Sequence, residues 1–452
     1  MSLREAGMAP VGLAPVGLAP IGLAPGGSLA SMARAEVAPR TAGQALHERA
    51  DVVVVGAGAA GMMAAIQAAG RGRSTVLLEK SQRPGLKILI SGGGRCNLTT
   101  TRSGADLEAQ YGERRGRFLR HALRSFPPAA LRTFIETAGV PLQEEDLEKL
   151  FPVSQRAGDV VAALLTQVRS AGARLRGGAA VRKLQMQGEH FTVEHDLGSV
   201  QASSVVLATG GLSYPKTGAT GDGYALAKAC GHSVTSTFPA LAPLAVQTPW
   251  LQALQGIVID GVALSSLDAA QRQCTTRQRP ILFTHKGLSG PGPMDLAGDI
   301  EAAAGAGAVR FDFAPSQSAN ELERGWLEQV RQHGTRRVES VLPMTLPERL
   351  RATLCELADS RTTLAAWSRD ARRRLLAVVK DLRLPVPRSL GYDHAEVTRG
   401  GVPLEEVDPR TMQSRITRGL FICGELLDVD GPIGGFNFQA AFATGRLAGL
   451  HA

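Results

Sequence analysis

The stretch DVVVVGAGAAGMMAAIQAAG, residues 51–70, decides the fold of this 452-residue chain. Its four consecutive valines predict a buried parallel strand, and the glycine pattern G-x-G-x-x-G follows at once as Gly56, Gly58 and Gly61. The first glycine permits a tight turn, the second lets a pyrophosphate approach the backbone, and the third lets the next helix lie close to the strand. The stretch therefore predicts a dinucleotide-binding βαβ unit with the phosphates at a helix N-terminus.

A carboxylate follows at the spacing that such a unit requires. The second predicted strand, TVLLE, ends at Glu79, and 79 − 56 gives 23 positions after the first glycine. A carboxylate there accepts a hydrogen bond from a ribose 2′-hydroxyl and repels a 2′-phosphate. We therefore expect a nucleotide of the NAD or FAD type rather than NADP. The alternative is a βαβ unit that binds no nucleotide.

The composition limits the class of partner. The net charge of +9 and a pI near 9.7 are compatible with an acidic partner such as nucleic acid. However, only eight of the 50 basic residues are lysine, so the charge reflects arginines spread over the whole chain. Aromatic residues make up 4%, too few for a base-stacking platform. The densest basic cluster, Arg369 with Arg372–Arg374, is typical of a solvated helix face. We expect nucleic acid to be an unlikely partner.

Cysteine and histidine usage bears on compartment and metal content. The five cysteines are widely spaced and form no C-x-x-C pair, which argues against a disulfide framework or zinc site and suits a reducing cytoplasm. The nine histidines form no H-x-x-x-H pair, so we expect no metal. No apolar run is long enough to span a membrane, so we expect no membrane contact.

The chain divides into segments that differ in composition and in hydrophobic periodicity. A proline- and glycine-rich five-residue repeat dominates the N-terminal segment, which we predict to be disordered. An α/β pattern follows, is interrupted by short strands and then helices, and resumes at the end. The predicted segments are 1–48 (disordered), 49–240 (first part of a Rossmann-like domain), 241–317 (first part of an inserted β domain), 318–381 (a nested helical domain), 382–397 (return of the β domain) and 398–452 (second part of the Rossmann-like domain).

A second motif, LKILISGGGRCNLTT, spans residues 86–100. Its three glycines predict a loop whose backbone lies against a flat ring or a phosphate. Arg95 and Lys87 would supply cations, and Asn97 a donor and an acceptor. Because lysine is rare in this chain, Lys80 and Lys87 are candidates for the nucleotide site. The alternative is a flexible surface loop.

A third motif, ATGGLSYPKTGATGDG, begins at Ala208, at the end of a predicted buried strand. In open α/β sheets, ligands bind at the carboxyl ends of strands, so Thr209 and Gly210 are candidate contacts. We interpret Asp222 as the cap of the following helix.

A fourth motif, GLFICGELLDVDGPIGGFNFQ, occupies residues 419–439. A strand ends at Gly424 and Glu425, and Gly435 precedes a helix whose N-terminus would stabilise the N1–C2=O edge of a flavin. The alternative is a βα unit with a plain glycine turn.

The fifth motif, FTHKGLSGPGPMD, places His285 and Lys286 between a strand and a Gly-Pro loop. A histidine there would serve as proton donor or acceptor beside a cofactor, although a structural loop histidine is the alternative. Our candidate catalytic residues are His285 and Arg95, with Lys286 as another candidate.

Together these motifs resemble the BaiN/YhiN-type flavoproteins, also described as aminoacetone-oxidase-type FAD-binding proteins and as NAD(P)/FAD-dependent oxidoreductases. The resemblance runs from about residue 51 to residue 450. Its most specific stretches are SGGGRCNLT, ATGGLSYPKTGATGDGY, FTHKGLSGP, VTRGGVPLEEVDPRTMQSR and GLFICGELLDVDGPIGGFNFQAAFATG. It implies a glutathione-reductase-type FAD domain, interrupted by a small β barrel with a nested helical domain.

The resemblance also implies a set of FAD contacts. The pyrophosphate would lie at Gly56, Gly58 and Gly61 and the adenosine ribose at Glu79. Arg95, Cys96 and Asn97 would lie near the flavin, and Thr209 and Gly210 near the adenine and pyrophosphate. Gly424, Glu425, Gly435, Phe436 and Asn437 would flank the ribitol and isoalloxazine. The predicted cofactor set is completed by Ala57, Ala60, Lys80, Lys87, Gly93, Val181 and Ala208.

These observations predict a FAD-dependent oxidoreductase acting on a small organic molecule, with the flavin between the Rossmann-like and inserted domains. No second GxGxxG precedes a helix, so NAD(P)H would reach the flavin only as a transient reductant. Two alternatives stay open: a flavoenzyme acting on RNA, and a non-enzymatic flavin-binding protein. The oligomeric state is left open.

Overall fold

The computed structural model describes residues 46–452. Its first strand begins at Leu46, so residues 46–48 belong to the sheet rather than to the N-terminal segment predicted to end at residue 48. There Leu46 pairs with Gly198 and Glu48 with Val200. The rest of the predicted disordered segment lies outside the described residues.

The described chain alternates strands and helices. The strands are β1 Leu46–Val55, β2 Thr75–Leu78, β3 Thr99–Thr100, β4 Leu142–Glu145, β5 Lys149–Pro152, β6 Arg174–Arg176, β7 Val181–Gln187, β8 His190–His195, β9 Gly198–Leu207, β10 Phe238–Ala240, β11 Leu244–Ala245, β12 Val258–Ile259, β13 Ala263–Leu267, β14 Gln273–Gln278, β15 Ile281–Thr284, β16 Gly287–Ser289, β17 Ala308–Asp312, β18 Leu382–Pro385, β19 Arg388–Ser389, β20 Val397–Arg399 and β21 Leu420–Ile422. The helices are α1 Ala59–Gly70, α2 Leu86–Gly94, α3 Gly104–Ala109, α4 Gly112–Ser125, α5 Pro128–Thr137, α6 Ala157–Ser170, α7 Asp222–Ala229, α8 Pro249–Ala253, α9 Pro291–Met294, α10 Ala297–Ala302, α11 Ala319–Gln332, α12 Glu348–Leu357, α13 Arg369–Asp381 and α14 Phe436–His451.

The largest sheet is of the Rossmann type, as the valine run predicts. Strands β6, β2, β1 and β9 lie side by side and parallel, and β21 pairs in parallel with the end of β9. Strands β8 and β7 continue the sheet from the start of β9 as an antiparallel meander. The predicted α/β fold class with a Rossmann-like domain is therefore confirmed.

Helices α1 and α14 cover this sheet in close contact with each other. Added side chains at Gly445 and Gly449 would collide with the backbone of Ala60 and Ala64, respectively. The C-terminal helix thus packs directly on the helix that follows the glycine-rich turn. This packing brings the two ends of the described chain together around one hydrophobic core.

The middle of the chain forms a second hydrophobic core. Strands β12, β15, β16, β11 and β19 form one antiparallel sheet, and β14, β13, β17 and β18 form another. Helix α13 packs on strands β17 and β18, and α11 and α12 pack on α13, with Trp326 and Trp367 at a ring distance of 5.4 Å. The element types thus follow the order of the predicted segments, whereas the division into separate domains stays a prediction.

Two short strands mark where the chain leaves and re-enters the first core. Strand β10 pairs antiparallel with β20, with Ala240 opposite Val397. Nearby, Arg399 donates to Asp299 (2.6 Å) and to Asp430 (3.1 Å) and so connects the middle of the chain to its C-terminal part. This junction forms one wall of the cavity described next.

Candidate functional site

The glycine-rich turn between β1 and α1 has the geometry that its sequence predicts. Gly56 has φ +99°, and a Cβ there would lie 2.6 Å from the carbonyl oxygen of Ala208. A Cβ at Gly61 would collide with the carbonyl oxygen of Gly56, so this glycine permits the helix to approach the turn. At Gly58, by contrast, no atom of the described residues lies within 4 Å of an added Cβ. The turn therefore exposes backbone to open space.

Glu79 braces this turn from the end of β2. One carboxylate oxygen accepts the N–H of Ala57 (2.8 Å) and the other accepts the N–H of Ser81 (2.8 Å). Each oxygen keeps a lone pair for a further donor, because a carboxylate offers about four acceptor sites. The residue lines the cavity together with Ala57 and Gly58.

Lys80 holds the loop before α7. Its Nζ donates to Thr220 Oγ1 and to Asp222 Oδ2, each at 2.6 Å. The interpretation of Asp222 as a helix cap is wrong, because Gly221 occupies the N-cap position and Asp222 is the first helical residue. Its carboxylate instead pairs with the lysine. The pair joins the end of β2 to the segment after β9.

The glycine segment at the end of α2 turns sharply out of the helix. Gly92, Gly93 and Gly94 all have positive φ, between 56° and 87°. An added Cβ at Gly93 would meet no described atom within 4 Å, so the Gly93 backbone faces the cavity directly. This agrees with the prediction of a backbone surface for a ligand.

The side chains after these glycines have different roles. Arg95 stands 4.3 Å over the Phe151 ring, pairs with Glu145 (3.0 Å) and lines the cavity. Cys96, the next residue, is fully buried, and burial raises the pKa of its thiol to about 12. With its amide oxygen toward α14, Asn97 accepts the N–H of Gly435 (3.0 Å).

A polar hub joins four parts of the chain beside the cavity. Lys87 of α2 donates to Glu425 (2.7 Å) and to Ser213 Oγ (2.7 Å). The other Glu425 oxygen accepts from Ser213 Oγ (3.0 Å) and from the N–H of Thr398 (2.9 Å). The charges of Lys87 and Glu425 are therefore engaged with each other.

The C-terminal glycines place α14 against the cavity. Gly435 is the N-cap of α14 with φ 84°, and Gly424 donates its N–H to Thr444 Oγ1 (3.0 Å). Asn437 is bonded through both amide atoms to the backbone of Gly431 at 2.9 Å. Both Gly435 and Asn437 line the cavity.

The end of β9 contributes a polar atom without a partner. Thr209 lines the cavity, and within residues 46–452 its buried Oγ1 has no hydrogen-bond partner. The next residue, Gly210, has φ 74° and no described atom within 4 Å of an added Cβ. A buried hydroxyl without a partner beside bare backbone fits a polar ligand.

These elements enclose a cavity of about 460 Å³. Its volume lies within the range of about 300–1,000 Å³ that is usual for cofactor sites. Most of the predicted cofactor residues line it, namely Gly56, Ala57, Gly58, Ala60, Glu79, Lys80, Lys87, Gly93, Arg95, Asn97, Val181, Ala208, Thr209, Gly210, Gly424, Glu425, Gly435 and Asn437. Gly61, Cys96 and Phe436 do not line it, since they pack behind the lining residues.

His285 is not brought to this cavity. It lies with Lys286 in the exposed two-residue turn between β15 and β16, and neither residue lines the cavity. The expectation that His285 faces a flavin is therefore corrected. The hairpin is tight, because Gly287 follows the turn, and its tip points to solvent.

Four ionisable residues that line the cavity were not singled out from the sequence. They are Arg83, Lys149, Tyr214 and Glu396. Burial raises the pKa of Glu396 to about 7, and the nearby Asp295 carboxylate adds to this effect. Burial also lowers the pKa of Lys149, as do the charges of Arg279 and Arg95. In the sequence, Glu396 precedes the VTRGG stretch, and no motif spacing distinguished it.

The described part of the chain offers neither a metal-binding cluster nor a membrane-spanning helix. Among residues 46–452, no group of three or more His, Cys, Asp or Glu side chains could hold a metal ion. None of the helices in that part is both long and apolar enough to cross a membrane. All five cysteines are free thiols.

A family model described as the HI0933-like protein Rossmann domain matches residues 50–451. The chain belongs to the HI0933-like family. This family includes the BaiN/YhiN-type proteins, so the resemblance stated from the sequence is confirmed. Its members are FAD-dependent oxidoreductases, and the predictions of an enzyme and of FAD as the cofactor are confirmed with it.

Two curated relatives match this HI0933-like protein over most of their length. The ribosomal RNA dihydrouridine synthase of Escherichia coli is 32% identical over 88% of this chain and 96% of its own. The 3-dehydro-bile acid delta(4,6)-reductase of Clostridium scindens is 31% identical over 88% of this chain and 97% of its own. Among solved structures, a 3-ketosteroid-delta4-(5alpha)-dehydrogenase from Rhodococcus jostii is similar at 16% identity and a TM-score of 0.47, covering 89% of this chain and 96% of that one.

Proposed function

We propose that the FAD of this enzyme occupies the cavity between the glycine-rich turn and the β10–β20 junction. The lining fits a flavin dinucleotide on two observations. Gly58, Gly93 and Gly210 present backbone that no side chain covers, and Thr209 offers a buried hydroxyl without a partner. The ADP part would be held by the turn and Glu79, and the flavin part by the segments around Gly93 and Gly435.

The main support for this proposal is the open space at Gly58, next to the Glu79 carboxylate that accepts the Ala57 N–H of the same turn. Heat release of the cofactor from purified protein, followed by mass analysis, tests it. We expect FAD in a ratio near one per chain. FMN, or no flavin after reconstitution with FAD, would overturn the placement.

We further propose that the reaction adds hydrogen to a C=C bond conjugated with a carbonyl group. The names of both curated relatives denote this chemistry, on a uridine of ribosomal RNA and on a bile acid. When bound, FAD supplies a hydride equivalent, which a reduced nicotinamide visiting the site transiently would replenish. The chain itself must then hold the substrate, exclude water and provide a proton.

An anaerobic reoxidation screen tests this reaction class. Reduced holoenzyme is mixed with cyclic enones, 3-oxo-4-ene steroids and uridine-containing RNA, and flavin absorbance is followed. We expect reoxidation by at least one conjugated carbonyl compound. Reoxidation by none of them, while ferricyanide still reoxidises the flavin, would overturn the reaction class.

For the substrate, a small organic molecule stays our first candidate, and the bile acid reductase among the relatives favours it. The ribosomal RNA relatives favour RNA as the second candidate, as does the net charge of +9. Binding of an rRNA fragment that weakens steeply with salt would support it, and no binding at low salt would remove it. We retain the cytoplasm as the proposed location on the cysteine pattern.

A further inference from the structure

The middle of the chain contributes one ionisable side chain to the cavity. Of residues 241–397, all of which the structure describes, those that line the cavity are Leu241, Glu396 and Val397. Glu396 is thus the group through which that part of the molecule can exchange a proton with a ligand. It lies immediately before β20, at the junction between the two hydrophobic cores.

Hydrogen bonds fix the backbone of Glu396, whereas its carboxyl group has no hydrogen-bond partner among the described residues. Its N–H donates to Leu241 O (3.1 Å), and its carbonyl accepts from Ser213 Oγ (3.2 Å). Across the described residues, neither carboxyl oxygen takes part in a hydrogen bond to another protein group. The side chain is exposed to the cavity interior, and desolvation at the cavity wall is what raises the pKa of its carboxyl.

Desolvation, more than the surrounding charges, raises the pKa of Glu396 above its ordinary 4.5. Burial raises its pKa to about 7, Asp295 raises it further, and Lys149 opposes the shift. Asp295 itself is paired with Arg279 (2.9 Å) and Arg277 (3.4 Å). The pKa of Tyr214 is raised by burial and by the Glu396 charge, so this phenol stays protonated.

We propose that Glu396 is the proton donor to the substrate in the proposed reduction and the proton acceptor in its reverse. This proposal rests on the proposed function. The π bond of the substrate breaks, the hydride equivalent forms one C–H bond at the carbon remote from the carbonyl, and the Glu396 proton forms the other at the adjacent carbon. The carboxylate left behind regains its proton from water, and the electrons come from the reduced nicotinamide through the flavin.

The other candidate site residues named from the sequence are engaged or unsuited as proton donors. Arg95 cannot release a proton in this pH range, since guanidinium ions stay charged in proteins. Lys87 and Glu425 neutralise each other in the polar hub. Cys96 is buried and does not line the cavity, and His285 lies in the exposed turn.

The kinetic test compares Glu396→Gln with wild type in the anaerobic reoxidation assay, using the conjugated carbonyl compound that the wild type accepts. A positioned acid contributes about 10²–10⁴-fold, so we expect a loss of that size together with loss of the pH limb near 7. The matched control is Asp393→Asn, an exposed carboxylate in the preceding loop that does not line the cavity. Reduction in D₂O adds a second readout, since deuterium should enter one face of the product with wild type and both faces with Glu396→Gln.

A measurement without turnover completes the test. In holoenzyme with ¹³C-labelled glutamate carboxyls, the resonance lost in Glu396→Gln should titrate near pH 7. Lys149→Met should move that midpoint upward, because the variant removes the cation that lowers it. A wild-type enzyme that reduces no conjugated carbonyl compound would overturn the proposed function. If it reduces one, an unchanged rate, pH profile and deuterium pattern in Glu396→Gln would overturn the role of Glu396, and so would a midpoint near the ordinary 4.5.

Discussion

Valine substitutions at Gly58 and Gly61 should have different consequences, one for FAD binding and the other for stability, although the two residues are only three positions apart in one turn. At Gly58 the added side chain meets open space, so Gly58→Val should spare the fold but abolish FAD binding. At Gly61 the added side chain meets the Gly56 backbone, so Gly61→Val should destabilise the fold by at least about 1–3 kcal/mol. The measurements are flavin content after reconstitution and thermal unfolding of the apoprotein.

This pair of variants separates a ligand effect from a packing effect. Normal flavin content in Gly58→Val would contradict the position of the pyrophosphate. An apoprotein of Gly61→Val that melts at the wild-type temperature would contradict the close approach of helix α1 to the turn.

The roles of single residues were predictable from the sequence where one local motif determines both the backbone conformation and the side-chain chemistry. Gly56, Gly58, Gly61 and Glu79 belong to such a motif. The structure gives close contacts to Gly56, Gly61 and Glu79 and leaves open space at Gly58, as the motif predicts. Glu396 was missed because its environment comes from Ser213, Lys149 and Asp295, which are distant in sequence. His285 was misjudged for the same reason, because a Gly-Pro loop does not indicate which way a hairpin tip points.

The Lys87–Glu425 pair should stabilise the contact between helix α2, the segment after β21 and strand β20. The pair is partly buried, with side-chain exposures of 24% and 16%. Removing one partner of a buried pair costs about 3–5 kcal/mol, so we expect about 1–3 kcal/mol for Lys87→Met here. Glu425→Gln should cost a similar amount.

A double-mutant cycle in chemical unfolding isolates this pair. If the bond acts as the geometry indicates, the double variant should be less destabilised than the sum of the two single variants. The exposed pair Arg117–Glu113 on α4, with exposures of 69% and 87%, is the matched control and should show little coupling. Additive changes in the free energy of unfolding for the Lys87 and Glu425 variants would contradict a stabilising interaction between the two side chains.

At the scale of elements, buried strands were the most predictable feature. The runs VVVV and VVL are uniformly apolar, and β1 and β9 form the parallel centre of the sheet. Helix ends were less predictable, as Asp222 shows. The Gly221 backbone takes the cap position, and the rare lysine at position 80 claims the aspartate carboxylate, a contact 142 residues apart in sequence.

Arg399 should contribute strongly to the stability of the whole molecule, since it bonds Asp299 from the middle of the chain and Asp430 from the C-terminal part. Arg399→Met would leave two largely buried carboxylates short of a cation, at a cost of about 3–5 kcal/mol. Burial raises the pKa of Asp299, but Arg399 and the Ser266 hydroxyl outweigh burial and lower it below the usual 3.8.

The sign of the pH dependence follows from that lowered pKa. Asp299 contributes its stability fully above pH 3.8, and the contribution is lost as the pH falls through the lower pKa of the folded state. The gap in Tm between wild type and Arg399→Met should therefore be widest near pH 7 and should narrow below about pH 4. A gap that stays constant across this range would contradict the assignment.

The order of the segments was predictable across the whole molecule, because changes in hydrophobic periodicity along a sequence show where strands give way to helices. The way the middle segment meets the FAD-binding part was not, because it depends on one short pairing, β10 with β20, and on the charges around Arg399. That junction brings Glu396 into the cavity. The residues that join two cores are few and scattered, so no local pattern marks them.

Two N-terminal truncations should differ in melting temperature, although their end points are only three residues apart. Residues 1–45 carry the proline- and glycine-rich repeat, whose composition cannot bury a core, so their removal should leave Tm and flavin content unchanged. Removal of residues 1–48 also deletes the start of β1, where His47 bonds Ser199 (2.7 Å) and Glu48 pairs with Arg174 (3.4 Å). Each lost backbone hydrogen bond is worth about 1 kcal/mol, so Tm should fall by a few degrees. Equal melting temperatures for the two truncations would contradict the contribution of residues 46–48 to the sheet, and a loss of FAD on removing residues 1–45 would show that the repeat does contribute to the flavoprotein.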